Sequence, residues 1–196
     1  MKNTLLIFIR NPQLGKVKTR LARTLGDAEA LRIYHILLSK TRAAALDCQA
    51  ERCLWYSDFV DENDDWRPFA FQKRIQHPGD LGERMEAAFQ MAFEAGAQKV
   101  VIIGSDCPEL SGVVLQQAFD LLDSVDFVLG PVPDGGYYLL GMKALEPSVF
   151  YGIEWSTETV RAKTLEKIAA LGKSFAQLPM LSDVDTEEDW RQAEMR

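Results

Sequence analysis

The chain has 196 residues and a formal net charge of −7. That length is ample for one domain with a real core, and 47% hydrophobic and 26% charged residues are typical of a globular protein. No apolar run approaches the ~20 residues of a membrane-spanning helix. Three cysteines, an odd number, indicate a reducing cytoplasm and not a disulfide framework.

The charge is unevenly distributed along the chain. Residues 1–26 contain six Lys or Arg and no Asp or Glu, so they carry +6, whereas the remaining 170 residues carry −13. A nucleic-acid-binding protein would spread basic charge over a face of a basic domain. The pattern therefore argues against that class and leaves the basic start as the first functional feature.

Apolar runs of strand length alternate with helical patterns along the chain. In chain order we predict a strand at Thr4–Ile9, a helix at Ala28–Ala45, strands at Arg52–Tyr56 and Phe69–Ile75, a helix from Asp80 to Gly96, a strand at Lys99–Gly104, a helix at Ser111–Leu122, strands at Phe127–Leu129 and Tyr137–Gly141, a helix at Thr157–Leu171, a strand at Phe175–Leu178 and a helix at Glu187–Met195. The helix after Asp80 has a capping-box signature, because Glu83 stands at the reciprocal position.

This alternation predicts an α/β fold, a three-layer α/β/α domain over residues 1–196 with a mostly parallel, mixed central sheet. Ligands of such sheets bind in the crevice beyond the carboxyl ends of the strands. The loops after Ile9, Gly104 and Leu129 are therefore the places to look for a site.

The first of these loops opens a basic segment, residues 10–23, with five bases in 14 residues. Pro12 and Gly15 indicate a turn-rich loop before a helix, and a helix start with nearby bases favours anions such as polyphosphate. A P-loop is absent because Val17 follows Lys16 where Ser or Thr is required, and no GxGxxG fingerprint is present. The alternative is a solvated basic helix start.

Asp106 follows the strongest predicted strand, in the segment 104–108. A carboxylate at the end of a central strand is costly unless it is paired or binds something. Mg²⁺ or Mn²⁺ is the ligand we favour, because these ions prefer oxygen and bridge to substrate phosphates. The alternative is an Asp that shapes the turn before Ser111. We interpret the neighbouring Cys107 as a bystander, since neither histidine lies in a partner motif.

The segment 183–189 holds five acids in seven residues and no base. Asp183 and Asp185 form a D-x-D-x-T pattern, but that phosphatase motif belongs after the first strand, so we reject it. One interpretation is a helix cap, formed by Thr186 or Asp185, whose following acids complement the helix dipole. The other makes Asp185 a second metal ligand.

Two glycine-containing segments are less specific. In residues 130–138, Pro133-Asp134-Gly135-Gly136 is a strong turn signal, and Asp134 could bind an acceptor, act as a base or only shape the turn. The helix start at 79–84, which includes Gly82 and Arg84, is a weak signal for a segment that covers a base or sugar.

Taken in order, these segments resemble the nucleotide-diphospho-sugar transferase superfamily, which has the glycosyltransferase-A fold. The resemblance is greatest to a bacterial branch provisionally described as glycosyltransferases and related to small nucleotidyltransferases. Its pattern stands here as Lys18-Thr19-Arg20-Leu21, Gly79-Asp80-Leu81-Gly82-Glu83-Arg84-Met85, Gly104-Ser105-Asp106-Cys107-Pro108, Gly130-Pro131 with Asp134-Gly135-Gly136-Tyr137-Tyr138, Trp155-Ser156-Thr157 and Asp183-Val184-Asp185-Thr186.

The resemblance implies a role for each matching position. It implies that metal is bound by Asp106 and Asp185, that phosphate is bound by Lys16, Lys18 and Arg20, and that Gly82 and Arg84 cover the nucleotide. To these we add Arg10 of the basic segment as a nucleotide ligand, and we choose Asp106, Asp134 and Lys18 as candidate catalytic residues. The sequence departs from nucleotidyltransferases in its opening loop, where residues 10–15 replace a Gly-rich, Arg-containing segment. Glu187 also stands where Pro is frequent.

We therefore expect a cytoplasmic, metal-dependent transferase with Mg²⁺ or Mn²⁺, a nucleotide or nucleotide-sugar donor and a small-molecule acceptor. The alternatives are a nucleotidyltransferase that acts on a nucleoside triphosphate and a non-catalytic nucleotide-sugar binding protein. No nucleic acid and no membrane span are expected. The sequence leaves the base, the sugar, the acceptor and the oligomeric state open.

Overall fold

The fold is that of a computed structural model, in which residues 2–195 are described. Its strands are β1 (Asn3–Ile9), β2 (Glu51–Tyr56), β3 (Gln72–Ile75), β4 (Lys99–Ile103), β5 (Phe127–Pro131), β6 (Tyr137–Met142) and β7 (Phe175–Gln177). Its helices are α1 (Thr19–Leu25), α2 (Asp27–Asp47), α3 (Leu81–Glu94), α4 (Gly112–Leu121), α5 (Val160–Ala170) and α6 (Glu187–Glu194), with a 3₁₀ turn at Pro147–Val149.

The strands form one sheet in the order β3-β2-β1-β4-β6-β5-β7. Every neighbouring pair is parallel except β4–β6 and β5–β6, because β6 runs opposite to the others. The predicted mostly parallel, mixed sheet is confirmed. The strand order reverses between β1 and β4, and such a reversal opens a crevice beyond the carboxyl ends of the two strands.

Helices cover both faces of the sheet, which confirms the three-layer architecture. One face of β1, with Leu5 and Ile7, packs under α2 and α4, and the other face, with Leu6, packs under α3 and the 3₁₀ turn. Because successive strand residues point to opposite faces, a continuous apolar run is what a strand buried on both sides requires. A smaller apolar cluster joins α1, α2 and α6. None of the described helices is long and apolar enough to cross a membrane.

The predicted helix after Asp80 is confirmed at its start. The Asp80 carboxylate accepts from the Glu83 amide at 2.9 Å, and the Glu83 carboxylate accepts from the Asp80 amide at 2.8 Å. The chain turns out of this helix at Gly96, whose φ of +85° lies in the region that favours glycine.

The predicted elements differ from the structure in three places, and in two of them packing against residues outside the element is the reason. A separate helix, α1, occupies the end of the basic segment, whereas the first helix that we predicted begins at Ala28. Strand β3 begins at Gln72 and not Phe69, because Phe71 turns inward and packs edge-on against Trp66 at 4.9 Å. Helix α5 begins at Val160 and not Thr157, because the chain before it packs against the backbone of Gly135.

Candidate functional site at the carboxyl ends of the strands

Lys18 ends the loop that follows β1 and is the N-cap residue of α1. Its φ of 48° and ψ of 45° are left-handed, an uncommon conformation for a residue with a Cβ. The side chain is only 5% exposed although it carries a charge. Because strained backbone and buried charge persist only where the surroundings demand them, this residue merits a functional explanation.

Asp106 lies in the loop after β4, the strand that pairs with β1 in the sheet. A buried hydroxyl holds its loop in place: Tyr34 lies 3.3 Å from the Ser105 Oγ, accepts from the Arg10 amide at 2.9 Å and donates to the Arg10 carbonyl. Burial raises the pKa of Tyr34 to about 12, so the hydroxyl stays protonated as this donor. Tyr34 therefore ties the loop after β1 to the loop after β4.

Asp185 reaches the same place from the far end of the sequence. The Val184 amide donates to the Asp106 carbonyl at 3.0 Å, and the Val184 side chain is buried among α1, α2 and α6. Next along the chain, Thr186 and Asp189 form the capping box of α6. Of the two predicted caps, Thr186 is therefore the one that forms, which leaves the Asp185 carboxylate free for other partners.

These three residues converge on one point. The Lys18 Nζ lies 2.6 Å from Asp106 Oδ1 and 3.2 Å from Asp185 Oδ1, and Arg20 Nη1 lies 3.3 Å from Asp185 Oδ2. We call Asp106 and Asp185 the acid pair. Their side chains are 48% and 38% exposed, so solvent and ligands reach them from outside while Lys18 lies beneath.

The acid pair sets the charge state of Lys18. Burial disfavours the ammonium, but the charges and hydrogen bonds of Asp106 and then Asp185 outweigh it, so the pKa of Lys18 is raised above its usual value. The ammonium is therefore fully charged at neutral pH.

Asp183 is a further acid at the site, and we did not single it out from the sequence. Burial, and then the charge of Asp134, raise its pKa to about 6, with Asp185 and Asp106 adding smaller effects. Its position in a run of five acids gave no signal that it differs from its neighbours. Asp134 follows the carboxyl end of β5, which runs in the same direction as β4, so it lies at the same edge of the sheet as the acid pair.

The turn that holds Asp134 is built tightly. The Asp134 Oδ1 accepts from the Gly136 amide at 2.8 Å, so this side chain shapes the turn. A Cβ at Gly135 would lie 2.0 Å from the Glu158 carbonyl oxygen, and its φ is +91°. Only glycine fits there, and its carbonyl in turn accepts from the Arg161 amide at 2.9 Å.

The other predicted ligand residues lie around this centre without joining it. Arg10 and Lys16 are exposed, and no ion pair links either to the acid pair in the described part of the chain. Arg84 donates from Nε to the Gly79 carbonyl at 2.8 Å. Gly82 lies against the Trp155 indole, where a Cβ would come within 2.5 Å of Nε1.

The surroundings of Cys107 disfavour its thiolate form. It is buried, and burial, helped by the charges of Asp183 and Asp106, raises its pKa far above neutrality. A thiol must ionise to act as a nucleophile. That Cys107 is a bystander stays a prediction, and burial of the thiol favours it.

The residues present suit a divalent metal. Two carboxylate oxygens already converge on a single cation, the Lys18 ammonium. Among residues 2–195 no cluster of three or more His, Cys, Asp or Glu is arranged around a metal position. Mg²⁺ does not need one, because it is commonly bound by one or two carboxylates together with substrate phosphates and water.

Fold and site together define the class of the protein as the nucleotide-diphospho-sugar transferase superfamily. A crystal structure from Desulfovibrio desulfuricans G20, provisionally named a nucleotide-diphospho-sugar transferase, superposes with a TM-score of 0.87. That protein is 33% identical, and the match covers 95% of this chain and 84% of that one. The predicted superfamily is confirmed.

The chain belongs to the family described as "Uncharacterized protein conserved in bacteria (DUF2064)", whose model matches residues 40–157. No curated protein matches the sequence.

Two more distant structures share the fold. Rv0371c from Mycobacterium tuberculosis H37Rv, solved in complex with manganese, has a TM-score of 0.59 at 12% identity, with 98% of both chains covered. A CMP:2-keto-3-deoxy-manno-octonic acid synthetase complexed with CTP has a TM-score of 0.56 at 10% identity, with 100% of this chain and 98% of that one covered. At such identities the likeness is one of fold alone.

Proposed function

We propose that the protein is a metal-dependent transferase that uses a nucleotide or nucleotide-sugar donor and a small-molecule acceptor. The observation that carries this proposal is the convergence of Lys18 and Arg20 on the acid pair, at the crevice where the strand order reverses. Two bases and two acids in contact beyond parallel strands suit a polyphosphate bound together with a divalent cation.

Each residue has a role in this proposal. Asp106 and Asp185 hold Mg²⁺ or Mn²⁺, which when bound stabilises negative charge on phosphate oxygens. Lys18 and Arg20 neutralise charge that develops on the leaving phosphate, the electrostatic effect that dominates phosphoryl chemistry. Arg10 and Lys16, exposed on the same loop, contact the outer phosphates. The manganese complex of Rv0371c and the CTP complex of the synthetase support this choice of ligands.

The remaining predicted residues define where the nucleotide and acceptor lie. The helix start that holds Gly82 and Arg84 covers the nucleotide, with the Gly82 backbone close to Trp155. Asp134, in the turn after the carboxyl end of β5, faces the acceptor. Its hydrogen bond to the Gly136 amide shows that it also shapes the turn, so the two roles coexist.

Nucleotidyl transfer is the second candidate, and one observation favours it. The segment 185–189 resembles the D-T-x-E-D element of cytidylyltransferases, and here its Thr186 capping box presents Asp185 to the crevice. The two reactions break different bonds: Pα–O in nucleotidyl transfer, and the anomeric C–O bond in glycosyl transfer. Release of pyrophosphate from a triphosphate is expected only from the first.

A thermal-shift screen with nucleoside triphosphates and nucleotide sugars, with and without Mg²⁺, tests the proposal. A ligand at ~100 times its Kd adds about 2.7 kcal/mol to the stability, which is roughly 5–10 °C in Tm for a chain of this size. We expect such a shift only when metal is present. The absence of any metal-dependent shift would overturn the proposal.

A hit from the screen is then assayed for turnover. Pyrophosphate release assigns nucleotidyl transfer, and loss of a nucleotide sugar without pyrophosphate assigns glycosyl transfer. Binding with neither reaction, across a panel of small hydroxylated and phosphorylated acceptors, favours the non-catalytic nucleotide-sugar binding protein.

A further inference from the structure

The Lys18 ammonium lies where the acid pair would hold a metal. It is within 2.6 Å of Asp106 Oδ1 and 3.2 Å of Asp185 Oδ1. Mg²⁺ requires its oxygen ligands at about 2.0–2.1 Å. Three of the four carboxylate oxygens of the acid pair contact Lys18 or Arg20. A divalent ion that both acids ligate must therefore displace a base, so metal and ammonium compete for the same oxygens.

The ion pairs within this cluster make it a poor site for a free metal ion. Lys18 and Arg20 already neutralise the two carboxylates that they contact. Although Asp183 is a further acid nearby, a divalent ion bound by both members of the acid pair must displace an ammonium whose side chain is only 5% exposed. A buried ammonium without partners is strongly disfavoured.

A polyphosphate removes this obstacle. Its oxygens are strong acceptors for an ammonium, which has three donor hydrogens and no acceptor of its own. Lys18 can then exchange its carboxylate partners for phosphate oxygens without becoming unpaired. Lys18 ends the loop that also holds the exposed residues Arg10 and Lys16. A polyphosphate bound by those two bases therefore lies close to the Lys18 ammonium.

We propose that Lys18 is the resident counterion of the acid pair, and that it closes this pair to free divalent metal until a nucleotide phosphate takes over the ammonium. Lys18 thus couples metal binding to nucleotide binding, in addition to the role proposed for it against the leaving phosphate. The release of Lys18 by a nucleotide phosphate rests on the proposed function. The exclusion of free metal does not, because it concerns the ligand-free protein alone. Coupling of this kind is reciprocal, so each ligand tightens the other by the same factor.

The test is a titration of the ligand-free protein with Mn²⁺ alone, followed by the paramagnetic signal of free Mn²⁺. We expect weak binding by the wild type and binding at least ~10-fold tighter by Lys18→Met, within the usual range of couplings between sites. Adding Asp106→Asn to Lys18→Met should abolish the gain. Lys99→Met is the matched control, since it removes an equally buried lysine that contacts Asp123, and it should bind Mn²⁺ as weakly as the wild type.

If Lys18→Met does not fold, Lys18→Gln provides the same test, because its neutral polar side chain also removes the ammonium from the acid pair. Equal Mn²⁺ affinity for wild type and folded Lys18 variants overturns the proposal. So does a gain that persists when Asp106 is replaced.

The outcome is independent of whether the proposed function holds. If Lys18→Met gains Mn²⁺ affinity but no nucleotide shifts the Tm of the wild type, the counterion role stands and the transferase proposal fails. If a nucleotide with Mg²⁺ shifts the Tm but Lys18→Met gains nothing, the transferase proposal stands and the counterion role fails.

Discussion

Two lysines, Lys18 and Lys99, are almost completely buried at opposite ends of strand β4, and their surroundings differ. Lys99 begins the strand; its Nζ donates to the Phe119 carbonyl at 2.7 Å and lies 2.6 Å from Asp123 Oδ1. Both partners belong to the end of helix α4 and the turn after it. Lys99 therefore neutralises the negative end of one helix, a structural role.

Lys18 lies beyond the other end of β4 and has no such local partner. Its two acids come from a loop after β4 and from the chain before α6, 167 residues away for Asp185. Its own backbone is left-handed. The comparison shows that two equally buried lysines have different surroundings. Lys18 differs from Lys99 because separate loops and a left-handed backbone bring charges together at a solvent-accessible edge of the sheet, and this difference supports the role that we propose for it.

Among variants that test the difference between the Lys18 and Lys99 surroundings, Asp106→Asn is expected to have the largest effect on ligand binding and activity. Removing one charge from the acid pair weakens the metal-dependent stabilisation of phosphate charge, a contribution of several kcal/mol. We expect the Mg²⁺-dependent Tm shift to disappear and the transfer rate to fall at least ~100-fold, equivalent to about 2.7 kcal/mol. Asp123→Asn, at the Lys99 end, is the control. A wild-type response from Asp106→Asn would contradict the assignment.

Lys99→Met should give a smaller effect of a different kind. Asp123 is 56% exposed, so the ion pair itself is screened and contributes little, and the main loss is the hydrogen bond to the Phe119 carbonyl. We expect about 1–2 kcal/mol of destabilisation, which lowers Tm by roughly 2–8 °C. The nucleotide response should be unchanged. Loss of that response would show that the two lysines do not divide into structural and functional roles.

The smallest expected effect concerns the cysteine next to the acid pair. The raised pKa of Cys107 keeps its thiol protonated, because neutral pH lies below both the usual and the raised value. Iodoacetamide at pH 7.5 should label Cys107 in the native protein at least ~10-fold more slowly than in urea, as measured by peptide mass spectrometry. Equal rates in both states would restore the thiol as a candidate nucleophile and weaken the acid pair's claim to the site.

Much of the fold was predictable because short stretches of sequence determine many of its helices and strands. The apolar runs of β1 and β4 are continuous, which is typical of strands buried on both faces. The capping box of Asp80 and Glu83 provides hydrogen-bond acceptors for backbone amides within one turn of helix. The errors fall where distant contacts decide. The late start of α5 depends on Gly135, and the inward turn of Phe71 depends on Trp66.

The same division holds for the site. A strand-end acid and a late acid each leave a local signal, which was enough to choose Asp106 and Asp185 as candidates. The basic segment was also visible locally, but the choice of Lys18 within it came from the family resemblance. The sequence analysis assigned no site role to Asp183 or Tyr34, because an acid within an acidic run and a tyrosine on a helix face carry no distinctive sequence signal. Burial distinguishes the first, and contacts to two loops distinguish the second.

The sequence by itself determined that an early positive charge of +6 and a later negative charge of −13 belong to one α/β chain, and it marked which bases and acids to watch. Only the tertiary structure decided that Lys18 touches both acids. Direct contact between residues 167 positions apart is a property of strand order and loop packing, because those alone determine which strand ends become neighbours.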